Sequence, residues 1–376
     1  CMKKQLCAKI AWLCLVLLLL AVICPFSVAA EVPEEEEGLL ILETAAMNGY
    51  YSHDLETGET EFVEASTYAP TPGAEYENLP SIPGDPEVMS QRHTGYFEDD
   101  VPYTGNQETA VGIEPYGVIG GEDRVPIGSV TTDYASTCLL VVRYPNNKKD
   151  YGTGFLIDDR HILTAAHVVY NADNDPNDET EGFPLRVAVY VGSHNGEWIE
   201  YRVSSGVQVG GDFIDYFDND DLRRHDDWGI VTVSDPINVT TMEIDPANSA
   251  SEMQPAHFSD QNYFTHGYPQ DLNEIEFGDN PGLNNLVQYK IYETSGQIKS
   301  DISRPRFLNL VSMTLDVSYG QSGSPVYYKT HGTYGDFIAQ AIVVSGEEND
   351  YGTGGIENNY AILINDWLYN HIADLR

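Results

Sequence analysis

The chain has 376 residues, with 59 acidic against 19 basic side chains and a formal net charge of −40. A surplus of this sign repels phosphate backbones and anionic headgroups, which excludes nucleic acid and anionic membrane surfaces as partners. Four of the five cysteines fall within the first 24 residues, so the remainder has no disulfide framework and must be held by a core.

Lys3, Lys4 and Lys9 precede an apolar run over residues 10–23, and Ser27-Val28-Ala29-Ala30 follows it. A basic start, an apolar centre and small residues at the end read as a secretory signal peptide over 1–30, cut after Ala30 to give a secreted product. The run is shorter than the ~20 apolar residues of a spanning helix, so no membrane attachment is expected after cleavage. Across residues 31–117, twenty acidic residues stand against one arginine, Arg92, and no lysine. Pro, Tyr and Gly are scattered there without sustained periodicity, so the segment is expected to build no core of its own, whether as a solvated tail or as a propeptide.

From Val118 onward, short apolar runs at 138–144, 154–157, 187–191, 228–233 and 338–344 alternate with turns rich in Gly, Asn, Asp and Pro. Runs of this length and spacing predict an all-β barrel or sandwich. Cys138 lies inside one of them and reads as a small buried hydrophobe rather than a reactive thiol. At the C-terminus Leu368, Ile372 and Leu375 fall at i, i+4 and i+7 behind a capping Asn365, which predicts an amphipathic helix.

Three short stretches carry chemistry. Thr164-Ala165-Ala166-His167 follows the strand-like Gly154-Phe155-Leu156-Ile157, Asp226-Asp227-Trp228-Gly229-Ile230 leads into a strand, and Gly320-Gln321-Ser322-Gly323-Ser324-Pro325 joins two apolar runs. A serine hydroxyl becomes a nucleophile when a base takes its proton and backbone N–H groups receive the oxyanion, and glycines let a loop aim those groups. Singly, each stretch has a plainer reading: a structural histidine, a carboxylate in a solvated turn, a turn of small residues. Together they stand in the order His, Asp, Ser, one of the chain orders of the serine-protease triad.

These motifs resemble the chymotrypsin-fold serine endopeptidases, and within them the bacterial glutamyl endopeptidases. The resemblance covers residues 118–376 and implies a trypsin-like domain of two six-stranded β-barrels with a C-terminal helix, the site lying in the cleft between them. On it His167 is the general base, Ser322 the nucleophile and Asp227 the carboxylate that orients the histidine, with Asp226 as the alternative and Asp215 or Asp220 behind it. The oxyanion falls to the backbone N–H groups of Gly320 and Ser322. Val118-Ile119-Gly120-Gly121-Glu122-Asp123-Arg124 resembles the mature start of the family, which makes 31–117 an acidic propeptide; Arg92 and Glu114 are other candidate cut points.

Substrate preference departs from the family pattern. Glutamyl endopeptidases meet an acidic side chain with a Thr five residues before the nucleophile and a His in the pocket strand, and here the gapless match puts Val317 and Val343 there. An ionised carboxylate without polar partners is strongly disfavoured. Asp316 would instead suit Lys or Arg, a shift of one residue brings Ser318 into the Thr role, and His266, in Thr265-His266-Gly267-Tyr268-Pro269, is either an acid-binding group or a surface-loop histidine. The acidic clusters 173–179 and 215–221 offer oxygens to Ca²⁺ but lack EF-hand spacing, and solvated charge is the expectation. No His-Glu-x-x-His or Cys/His constellation is present. The expected product is a monomeric enzyme without a required cofactor, acting on proteins and peptides.

Overall fold

The computed structural model describes residues 49–65, 78–94, 118–119, 122–145, 149–172, 182–216, 223–247, 253, 262–277, 288–299, 309–330, 336–346 and 358–376. All belong to one compact unit, 45–376. The signal peptide, the 173–179 cluster and most of 215–221 lie outside the described residues.

In chain order the strands are β1 (Gly49–Asp54), β2 (Thr60–Glu64), β3 (Val125–Pro126), β4 (Thr137–Arg143), β5 (Lys149–Leu156), β6 (His161–Thr164), β7 (Arg186–Val191), β8 (Glu200–Gly210) and β9 (Gly229–Val233). The second half adds β10 (Glu243–Ile244), β11 (Tyr263–Gly267), β12 (Tyr292–Gly296), β13 (Ile298–Lys299), β14 (Leu310–Met313), β15 (Pro325–Lys329), β16 (Phe337–Gly346) and β17 (Asn359–Leu363). Among the described residues the α-helices are α1 (Pro86–Ser90), α2 (Ala166–Val169), α3 (Gly211–Asp215), α4 (Gln270–Phe277) and α5 (Asp366–Leu375).

The first barrel runs β8-β7-β4-β5-β6-β9, and β9 pairs back to β8 to close it with six strands. Its apolar runs are continuous rather than alternating because both faces are covered. Cys138, Leu140 and Val142 of β4, with Val187, Val189 and Val191 of β7, fill the main core. The intervening Leu139, Val141, Ala188 and Tyr190 pack against Tyr268, Tyr289 and Ile291 from the second half of the chain. The cysteine is fully buried and its thiol pushed far up by burial.

The second sheet runs β13-β14-β17-β16-β15-β11-β12, with β3 at its end and β10 beside β16. One bent segment, 292–299, serves both ends: its first part pairs with β11 and its last two residues with β14. The hinge is Gln297, whose carbonyl accepts the Thr314 N–H at 2.9 Å. The sheet therefore curls round on itself as the barrel resemblance implies. Val311 and Met313, Ala341 and Val343, Ala361 and Leu363 alternate inward to make its core.

The C-terminal helix α5 starts where expected: Asn365 caps it by accepting the Leu368 N–H at 3.0 Å, and Leu368 and Ile372 are buried. It lies on the first barrel, with Trp367 against Trp228 at 5.5 Å between centroids and His371 bonded to Gln208 of β8.

One expectation is corrected. Within 31–117, expected to build no core of its own as either a solvated tail or a propeptide, β1 and β2 form a hairpin and β1 joins the first barrel through β8, so the solvated-tail reading does not hold there. The segment needs no core of its own because β8 supplies a preformed hydrogen-bonding edge. The hairpin turn is locally encoded: the Asp54 carboxylate accepts the Glu56 and Thr57 N–H groups, each at 2.8 Å, and Gly58 takes φ +73°.

Candidate active site

The Ser322 loop is two successive turns. Gln321 N–H donates to Ser318 O at 3.0 Å, and Ser324 N–H donates to Gln321 O at 2.9 Å. Gly320 and Gly323 occupy the third position of each, with φ +86° and +82°. That is the position where a type II turn demands positive φ, so the Gly-x-x-Gly spacing follows from the geometry. Ser322 stands at the second position of the second turn. The Gly323 N–H donates to Val343 O at 2.8 Å.

His167 sits in α2, a single helical turn directly after β6. Its Nδ1 lies 2.7 Å from Asp227 Oδ2, and its backbone N–H donates to Asp227 Oδ1 at 2.9 Å. Asp227 is fully buried. A carboxylate at Nδ1 draws the ring proton to that nitrogen and leaves Nε2 to accept another.

Asp226 has other work. It accepts the Trp228 indole N–H at 2.6 Å and the Asp212 N–H at 3.0 Å. Burial pushes its carboxyl up to about 7, against the opposing influence of His225. Asp215 accepts the Tyr51 hydroxyl on the outside of the barrel.

Thr153 on β5 joins the loop to the first barrel, and no catalytic motif of the sequence marks it. Its N–H donates to Ser322 O at 2.9 Å and its hydroxyl to Gly320 O at 2.7 Å, while its own carbonyl accepts the Thr164 hydroxyl at 2.7 Å. A Cβ on Gly323 would lie 2.1 Å from Thr153 O and 2.2 Å from Thr164 Oγ1. The serine loop is thus seated against the turn that carries His167. The available signal was Gly152-Thr153-Gly154, a threonine between two glycines at which backbones approach closely.

The residues expected to line a substrate pocket are all buried. Val317 and Val343 lie in the core of the second barrel. Asp316 accepts the Ile119 N–H at 2.6 Å, and burial, with Asp123 beside it, raises its carboxyl. Ser318 donates to Asp271 at 2.5 Å, and Asp271 is paired with Arg124 at 2.6 Å. Burial alone would raise Asp271; the hydrogen bonds from Arg124 and Ser318 outweigh it and hold the carboxyl low.

His266 is corrected on both readings. It is a fully buried β11 residue whose ring nitrogens contact Thr137 Oγ1 at 2.7 Å and Tyr327 OH at 3.0 Å. Burial lowers it to about 3, so it is a neutral interior imidazole, neither a loop residue nor a donor of positive charge.

Residues 152–334 match the model of the trypsin-like peptidase domain. A 64-residue stretch is 39% identical to an extracellular metalloprotease of Bacillus subtilis (strain 168), covering 16% of this chain and 20% of that protein. The chain thus spans about a fifth of the length of the curated relative it matches. Among solved structures, a Glu endopeptidase aligns at 18% identity and TM-score 0.48 over 68% of this chain and 100% of its own. HL collagenase aligns at 14% identity and TM-score 0.43, over 66% of this chain and 96% of its own. Residues 152–334, which hold the His167–Asp227 pair and the Ser322 loop, thus match a trypsin-like peptidase domain.

Proposed function

We propose that this chain hydrolyses peptide bonds in proteins through His167, Asp227 and Ser322. The observation that carries the reading is the double attachment of His167 to buried Asp227, on the turn against which the Ser322 loop is seated. Ser322 Oγ attacks the scissile carbonyl as Nε2 of His167 takes its proton, and the same nitrogen returns the proton to the departing amine. Water then enters by the same route and releases the acyl group. The backbone N–H groups of Gly320 and Ser322 receive the oxyanion, where one such donor is worth roughly 10²–10³ in turnover.

The preference at the residue before the cut follows from which groups remain to meet it. Val317 and Val343 offer methyl groups, the Asp316 carboxylate is engaged by Ile119, and the Ser318 hydroxyl by Asp271. A carboxylate finds no complementary partner among these four, an ammonium finds only the Asp316 carboxyl, whose charged form burial disfavours, and a poorly partnered charge in such a site is strongly disfavoured. Cleavage after apolar side chains is the preference this arrangement supports, ahead of the glutamyl preference of the similar family and of Lys/Arg. The first thirty residues direct secretion, and a cut before Val118 produces the mature enzyme.

The test is to incubate the matured protein, its N-terminus fixed by mass spectrometry, with a denatured protein of known sequence and to map every cut. Cuts concentrated after apolar residues support the reading. Cuts after Glu or Lys/Arg overturn the preference, and failure of both cleavage and labelling by a serine-directed phosphonate overturns the enzyme.

A further inference from the structure

The segment before the expected cut is built into the barrels at several places. β1 pairs with β8 through five residue pairs, from Tyr50 opposite Gly210 to Asp54 opposite Gly206. The Leu55 N–H continues the contact to Ser205 O at 2.9 Å, and His53 stacks on Phe183 at 4.5 Å between centroids. Further along, Leu79 exchanges backbone hydrogen bonds with Ile244, and Thr241 N–H donates to Ile82 O. Gly84 N–H donates to Thr240 Oγ1, Asp85 N–H donates to Asn238 O, and His93 exchanges a pair of bonds with Trp198. Residues 79–85 therefore run along 238–244, the stretch of chain that leaves the first barrel for the second. Arg376, at the far end of the sequence, donates to Pro80 O at 2.9 Å.

The hairpin also reaches the corner that holds the histidine. Tyr50 packs edge-on to Trp228 at 6.3 Å and on His371 at 4.5 Å. Trp228 gives its indole N–H to Asp226 and its backbone N–H to Asp226 O, and its carbonyl accepts the N–H of Gly210, the residue opposite Tyr50. Tyr50, Trp228, Asp226 and Asp227 are consecutive links, and Asp227 ends on His167.

We propose that residues 49–65 and 78–94 are a permanent part of the working enzyme: after the cut before Val118 they stay bound to the barrels on a separate chain, and Tyr50 is a positioning residue for Asp227. The retention rests on the proposed maturation cut; the docking itself does not. A cut after residue 94 severs the chain and breaks none of the contacts above, so the segment is left holding a surface shaped for it. Maturation then cuts the chain outside the docked residues.

The test uses the full chain, with Ser322→Ala to prevent self-digestion and the recognition sequence of an unrelated site-specific protease placed within residues 101–108. After complete cleavage, size-exclusion chromatography at low micromolar concentration with mass analysis of each peak reads retention. Co-elution of the two pieces at one to one, separating only in denaturant, is the expected result. Elution of the small piece alone beside a folded barrel piece overturns it, whatever the activity of the enzyme proves to be. In the active chain cut at the same place, Tyr50→Ala should lower kcat about tenfold with KM unchanged while the small piece still co-elutes, and Tyr50→Phe should restore kcat. An unchanged kcat in Tyr50→Ala overturns the positioning role.

Discussion

Asp227 holds His167 at two atoms of different kinds, the ring Nδ1 at 2.7 Å and the backbone N–H at 2.9 Å. One carboxylate thus fixes both where the residue sits and how its ring is turned. Replacing it with asparagine keeps the shape but can present an N–H to Nδ1, which forces the proton to the other nitrogen and disarms the base. Asp227→Asn should therefore lower kcat by roughly 10⁴. Asp226→Asn, which alters a carboxyl held by Trp228 and Asp212, should cost far less; equal or reversed losses in peptide-cleavage kinetics would overturn the assignment of the orienting acid.

Ser322→Ala removes the proposed nucleophile and little else, because the loop is held by backbone bonds and by Thr153. Cleavage should vanish while stability to denaturant changes by less than about 1 kcal/mol. A variant that unfolds, or one that retains wild-type turnover, would count against the assignment.

Two glycines with similar backbone angles should respond differently to alanine. At Gly323 the new methyl would meet Thr153 O at 2.1 Å and Thr164 Oγ1 at 2.2 Å, on top of φ +82°. At Gly58, φ is +73° with no atom within 4 Å of the added carbon. Gly58→Ala should cost about 1–2 kcal/mol, the left-handed penalty alone, and leave activity intact. Gly323→Ala should cost about 1–3 kcal/mol more from the enforced overlap and abolish cleavage. Chemical denaturation of the two variants checks the difference.

Stability should fall on acidification before most carboxylates titrate. Burial lowers His266 from 6.5 to about 3, so between these values the unfolded chain binds a proton that the folded chain does not. The contribution is whole above pH 6.5 and is lost as pH falls toward 3, at ~1.4 kcal/mol per pH unit for this group. His266→Gln should flatten the dependence of stability on pH between 4 and 6.5. An unaltered slope in urea titrations across that range would assign the acid sensitivity elsewhere.

The His, Asp and Ser motifs were legible because each is a local pattern: a histidine on the turn after a strand, a carboxylate before a strand, and glycines spaced for two turns. The strands around 138–144, 187–191 and 338–344 were legible for the same reason, as was the Asn365 cap. Thr153 was not, because its meaning lies in Ser322 and Gly320, more than 160 residues away. His266 was misread because Gly267 and Pro269 beside it suggest a loop, whereas burial between Thr137 and Tyr327 is decided by tertiary packing. The β1–β2 hairpin was missed for a related reason: its strands are weak by themselves and are fixed by the edge of β8, which local composition does not reveal.

That edge has a consequence for how the protein behaves at high concentration. β9 takes one side of β8 over residues 206–209, and β1 takes the opposite side over 206–210. Stripped of β1, this stretch would present an open row of amides and carbonyls, the template on which strands of other molecules add. Among the described residues the sheet ends instead on β2, where Glu61 and Glu64 stand exposed. A neighbouring molecule of the same strongly acidic chain meets like charge there, so the hairpin terminates the sheet and keeps one molecule's strands from recruiting another's.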